Sequence, residues 1–106
     1  MLSEGKQLEV HNLITTNALN ILALTEARVP QGSVALQHCS TKAHDIFHVA
    51  RPDPQSIGGG VALIASRFLK CSKVNLKRTL TSFEFIANQF ELGGQRYRIV
   101  NIYRPP

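Results

Sequence analysis

Glu26 closes a short apolar run, residues 21–24 (Ile-Leu-Ala-Leu), and is the first candidate for chemistry in the chain. A run so short and uniformly apolar reads as a strand buried on both faces rather than as an amphipathic helix. Ligands and catalytic groups gather at the carboxyl ends of such strands in layered α/β folds, because side chains there converge on a crevice held by rigid elements. The same position also suits a carboxylate that only solvates the strand end. His44 and His48 come next, since an i, i+4 histidine pair on a helix can share one metal ion. The stretch around them, residues 43–51, is rich in β-formers, and on a strand rising about 3.3 Å per residue the two would lie roughly 13 Å apart. They read as polar side chains sharing one face of a half-exposed strand. Gly58, Gly59 and Gly60 suggest a phosphate cradle, but neither the Lys-Ser/Thr ending of a P-loop nor Gly-x-Gly-x-x-Gly spacing accompanies them. Cys39 and Cys71 lack both paired spacing and the Cys/His framework of a zinc module, and read as intracellular thiols.

The elements that must position these groups follow from periodicity. Leu8, Val10, Leu13, Ile14 and Ala18 recur at loosely helical spacing, so a helix over about residues 6–18 precedes the Glu26 strand. Pro30 and Gly32 punctuate a loop that continues through residue 42. Pro52, Pro54 and the three glycines make residues 51–60 a second loop, which turns into another buried apolar strand at residues 61–65 (Val-Ala-Leu-Ile-Ala). Residues 66–69 form a short turn and residues 71–76 a peripheral, lysine-bearing strand. Residues 81–92 read as a strand with Phe83, Phe85 and Ala87 on one face; Glu84 points the other way and reads as a solvated or sheet-face acid. Gly93 and Gly94 form a two-residue hairpin turn into residues 95–103, where Tyr97, Ile99, Asn101 and Tyr103 alternate with Arg96, Arg98, Val100 and Ile102. Pro105 and Pro106 cannot continue a central strand, so Tyr103 and Arg104 sit where the chain leaves the sheet. On residue type alone Tyr103 is an aromatic anchor.

The 106 residues make one domain at most, with room for a modest core. Twelve Lys and Arg against seven Asp and Glu give a formal net charge of +5, which suits an anionic partner such as nucleic acid. The basic residues are dispersed, with Lys70, Lys73, Lys77 and Arg78 the densest group, and this argues against a disordered basic tail. No apolar stretch is long enough to span a bilayer and no signal-peptide pattern opens the chain, so a nuclear or cytoplasmic location is expected.

Taken in order, Ile21-Leu-Ala-Leu-Thr-Glu26, Gly58-Gly-Gly-Val-Ala-Leu63, Thr81-Ser-Phe-Glu-Phe85 and Ile99-Val-Asn-Ile-Tyr-Arg-Pro-Pro106 resemble the endonuclease domain of non-long-terminal-repeat (LINE-type) retrotransposons. That domain accompanies a reverse transcriptase and belongs to the endonuclease/exonuclease/phosphatase superfamily. The resemblance runs from about residue 8 to residue 106. It implies an α/β (α+β) fold, a partial two-sheet α/β sandwich, and magnesium-dependent hydrolysis of DNA phosphodiesters. Glu26 matches the family's magnesium-binding glutamate, a hard oxygen donor suited to an ion that neutralises charge on the scissile phosphate. Tyr103 matches the tyrosine of the Asn-Ile-Tyr motif, whose hydroxyl reaches that phosphate.

The departures matter as much. The family's first strand, with its Asn before the opening helix, has no counterpart here. Neither do the Asp-x-Asn motif, the later Asp and the final Ser-Asp-His, and Ala27-Arg28-Val29 stands where the group usually has Thr-Trp-Leu. Residues 1–106 are therefore expected to be an incomplete domain lacking the first strand and the C-terminal half. One metal ligand without a base does not make a nuclease, so the chain is expected to be inactive alone. The competing expectation is a non-catalytic, basic nucleic-acid-binding or interaction module that contacts phosphates through Arg28, Arg51, Lys70, Lys73 and Arg104. Either way, half a sandwich should expose sheet edges and apolar surface, inviting self-association.

Overall fold

A computed structural model describes residues 4–25, 42–49, 60–77 and 82–104 of the chain. It is a small mixed α/β domain. Helix α1 (Glu4–Thr16) leads into strands β1 (Ile21–Thr25), β2 (His44–Val49), β3 (Val61–Ser66), β4 (Ser72–Lys73), β5 (Glu84–Leu92) and β6 (Gln95–Tyr103), with a 3-10 turn at Arg67–Leu69. The strands form two antiparallel three-stranded sheets, ordered β1-β3-β2 and β4-β5-β6. The sheets face each other, with β3 against β5 and β6, β1 against β6 and β2 against β5. No helix among the described residues is long and apolar enough to cross a membrane.

Strand β3 is the centre of the molecule. Val61, Ala62, Leu63, Ile64 and Ala65 are each 0–1% exposed, because the strand is covered on both faces. Ala62 and Ile64 face the helix and pack with Ile14, alongside Val10, Leu22, Leu24 and Ile46. The alternation of a strand turns Val61, Leu63 and Ala65 to the second sheet. Each fully buried isoleucine or leucine here contributes roughly 1.5–3 kcal/mol of burial free energy. Strand β1, by contrast, is only half-buried. The expectation that it is buried on both faces is corrected by its place at the sheet's edge, which a run of four apolar residues does not reveal.

The helix also differs from its sequence stripe. Gln7, Val10 and Ile14 turn inward, at spacings of three and four residues, while Leu8 and Leu13 are 58% and 46% exposed. The helix stops at Thr16 rather than Ala18, because Ala18 adopts a left-handed backbone (φ 50°) and the Leu19 N–H returns to the Ile14 carbonyl at 3.0 Å.

Gly93 and Gly94 do make the two-residue hairpin turn. Both have positive φ, 60° and 79°, the backbone that matches the twist of the flanking strands. The expected lysine-bearing strand shrinks to Ser72–Lys73, extended by one further bond from the Val74 N–H to the Ala87 carbonyl at 2.8 Å.

The two sheets are joined by a polar clamp. The Asn101 side-chain amide on β6 donates to the Leu24 carbonyl on β1 at 2.9 Å and to the Ala62 carbonyl on β3 at 3.2 Å. Because Leu24 and Ala62 are register partners, one NH2 group holds both strands of the facing sheet at the same level. Both acceptors are carbonyls, which settles which way the amide points. Asn101→Ala should lower unfolding stability by about 1–2 kcal/mol, and Asn101→Asp by more, since a carboxylate would face two carbonyl oxygens. Urea titration of the three proteins checks this, and equal midpoints would show that the clamp carries no weight.

Candidate functional site

Strand ends from both sheets meet at one end of the sandwich. Thr25, the last residue of β1, pairs with Val61, the first of β3; Glu84, the first residue of β5, pairs with Tyr103, the last of β6. The Gly60 N–H, just before β3, donates to Glu84 Oε2 at 2.5 Å and ties the two pairs together. Gly60 is buried at φ 88°, a backbone a β-carbon would resist, so the chain can bring this amide to the carboxylate at little cost. Glu84 is half-buried on the sheet face, the second of the two readings of this acid, and there it anchors one sheet to the other.

A signal for Glu84 was present in the sequence. Counting back from the two-residue turn puts Leu92 opposite Gln95 and therefore Glu84 opposite Tyr103, on the face that also carries Asn101. The same count gives the inner face of β5, which presents Glu84, Ile86 and Asn88. Phe85 and Ala87 pair with Ile102 and Val100 on the other face, and Phe83 lies before the strand. Asn88 is fully buried at the strand's centre, its amide 3.4 Å from the Ser72 carbonyl.

Among the candidates, Tyr103 is half-buried at this end and Arg104 follows it, exposed. Glu26 comes directly after Thr25 in sequence but lies outside the described residues, as do Arg28 and Arg51. Lys70 and Lys73 are exposed but stand elsewhere. Lys73 is paired with Asn88 halfway along β5, and Lys70, held in a left-handed backbone (φ 51°), lies further from Tyr103 still. The structure thus separates Arg104 from the two lysines.

The histidines lie on strand β2 and face the same side, as the β reading requires. His44 Nε2 is 2.9 Å from the Leu19 carbonyl, which can only accept, so this nitrogen carries the proton and donates. Ser66 Oγ, 3.4 Å from the same nitrogen, donates to Asn20 Oδ1 at 3.2 Å. A protonated Nε2 cannot draw a proton from Ser66, so this pair is a structural lock and not a nucleophile with its base. His48 Nε2 is buried without a hydrogen-bond partner among the described residues, and burial lowers the imidazole pKa. Burial, and after it the nearby Asp45 carboxylate, push the Cys71 thiol up and keep it in the unreactive protonated form. Among the described residues no group of three His, Cys, Asp or Glu side chains is placed to hold a metal ion. No family model, curated protein or solved structure matches the chain.

Two outcomes follow from these contacts. Glu84→Ala should cost about 1–3 kcal/mol and speed hydrogen exchange at the Gly60 amide, with Glu84→Gln intermediate; unchanged exchange in the alanine variant would show that the carboxylate does not hold Gly60. For His48, the unfolded chain binds its proton near pH 6.5 and the folded chain only at lower pH. The stability gained by keeping it neutral is complete above that pH and is lost as pH falls below it towards the folded value. Urea midpoints at pH values on either side of this window should diverge, and His48→Leu should remove part of the difference; an identical pH dependence in the variant would exclude His48 as a source.

Proposed function

We propose that the chain is part of a two-sheet sandwich of the endonuclease/exonuclease/phosphatase type, derived from the DNA endonuclease of LINE-type retrotransposons, and that the chain alone binds DNA without cutting it. One observation carries this reading. The two residues matched to the family's motifs, Glu26 and Tyr103, are attached to strands β1 and β6, whose carboxyl ends lie at the same end of the sandwich and are tied together through Gly60 and Glu84. That end is where a phosphodiester would be held in this reading. The Tyr103 hydroxyl would contact the scissile phosphate, and the exposed Arg104 guanidinium beside it would pair with a neighbouring one, as Arg28 and Arg51 would in the sequence stretches that flank β1 and β2.

Magnesium needs about six oxygen donors, several of them organised by protein. The described residues at this end supply the Glu84 carboxylate, one oxygen of which accepts the Gly60 amide, and the Tyr103 phenol. They do not by themselves fit the ion, and no metal-dependent step is derived for the isolated chain. What these residues can do is position a phosphate: a phenol on the last residue of β6 and a guanidinium on the residue that follows it.

The test is nicking of supercoiled plasmid by the purified chain, with magnesium or with EDTA, beside a Glu26→Ala variant. No nicking is expected from any of them, while duplex binding should weaken with salt and fall several-fold in Arg104→Ala. Magnesium-dependent nicking that disappears in Glu26→Ala would overturn the inactivity of the chain, and duplex binding indifferent to both salt and Arg104 would overturn the assignment of this end to DNA.

A further inference from the structure

The end of the sandwich away from Tyr103 has its own chemistry. Strand β5 runs from Glu84 to Leu92, so the β5–β6 turn lies a full strand length from the Glu84–Tyr103 pair. There Phe90 and Tyr97 stack, with ring centroids 5.2 Å apart and planes inclined by 17°. Tyr97 nevertheless remains 46% exposed. The 3-10 turn packs against β5 and carries Phe68, which is 64% exposed. Lys70 ends that turn, and the pairing of Ser72 with Gln89 and of Lys73 with Asn88 sets Lys73 at the middle of β5 and Lys70 on its turn side.

We propose that this turn end binds single-stranded nucleic acid, stacking a base on Tyr97 and holding the adjoining phosphates with Lys70 and Lys73. The charge favours it. Arg67 and Arg96 are engaged by Asp45 and Glu91, whereas Lys70, Lys73 and Arg98 have no carboxylate partner among the described residues. An aromatic surface flanked by unneutralised cations is what binding to a nucleic-acid strand through its backbone and base faces requires, because every base offers a π-face and every linkage a negative charge. The preference for single strands follows from access: in a duplex the base faces are covered by their neighbours and cannot reach an exposed tyrosine. A second copy of the chain is the weaker occupant, since each copy would bring a formal charge of +5 to the contact.

The chain contains two tyrosines and no tryptophan, so in a Tyr103→Phe background the tyrosine emission comes from Tyr97 alone. Titration with unlabelled oligo(dT) of about 16 nucleotides should quench that emission, and a fluorescein-labelled copy should report the affinity by anisotropy. Tyr97→Ala should weaken binding about tenfold and Tyr97→Phe by less than about twofold, because stacking needs the ring and not the hydroxyl. Lys70→Glu should weaken binding and make the slope of log affinity against log salt shallower by about one. The proposal is overturned if Tyr97→Ala and Lys70→Glu proteins with wild-type circular dichroism bind the oligonucleotide as the parent does. It is also overturned if Tyr97→Ala changes only sedimentation, which would assign this end to a second copy. Failure of the DNA reading at the Tyr103 end is seen separately, in duplex binding and its dependence on Arg104.

Discussion

One side-chain amide ties the two sheets together. Asn101 sits on the inner face of β6 and spends both of its N–H groups on carbonyls of the opposite sheet, one on β1 and one on β3. Apolar contacts between sheets are non-directional and would tolerate sliding; hydrogen bonds to two named carbonyls would not. The clamp therefore sets the relative height of the two sheets, and the meeting of Gly60 with Glu84 follows from it. Asn101 lies two residues before Tyr103 and on the same face, so the group that aligns the sheets also fixes where the tyrosine emerges.

That alignment gives the molecule two chemically different ends. At one, strand termini, a carboxylate, a phenol and Arg104 are brought together around a backbone amide. At the other, a tight turn and a 3-10 turn present rings and lysines. The core between them is β3, which is covered by α1 on one side and by β5 and β6 on the other. A close-packed centre of this kind lets each end keep its geometry independently of the other.

The parts of this arrangement that could be read from the chain are those encoded locally. The glycine pair foretells a hairpin because only residues tolerant of positive φ close a two-residue turn, and the apolar run at 61–65 foretells a buried strand because nothing polar interrupts it. What could not be read was position within a sheet. The run at 21–24 resembles the one at 61–65 but belongs to an edge strand, and Leu8 and Leu13 share a hydrophobic character with Ile14 without sharing its face. Glu84 shows the limit most clearly for the candidate site. Its partner is an amide 24 residues earlier, and no spacing rule connects them until the sheets are stacked. Lys70 and Lys73 were grouped with Arg104 by charge alone, and the pairing of β4 halfway along β5 separates them.

The Asn101 clamp is also a long-range contact along the chain. The β5–β6 hairpin closes around two glycines and joins neighbours in the chain, so its pairing is fast to find. The bond from Asn101 to Leu24 spans 77 residues and that to Ala62 spans 39. Neither can form until the loops between have been closed, at an entropic cost that only later contacts offset. Closing the bond from Asn101 to Leu24 thus costs far more chain entropy than any pairing within the hairpin.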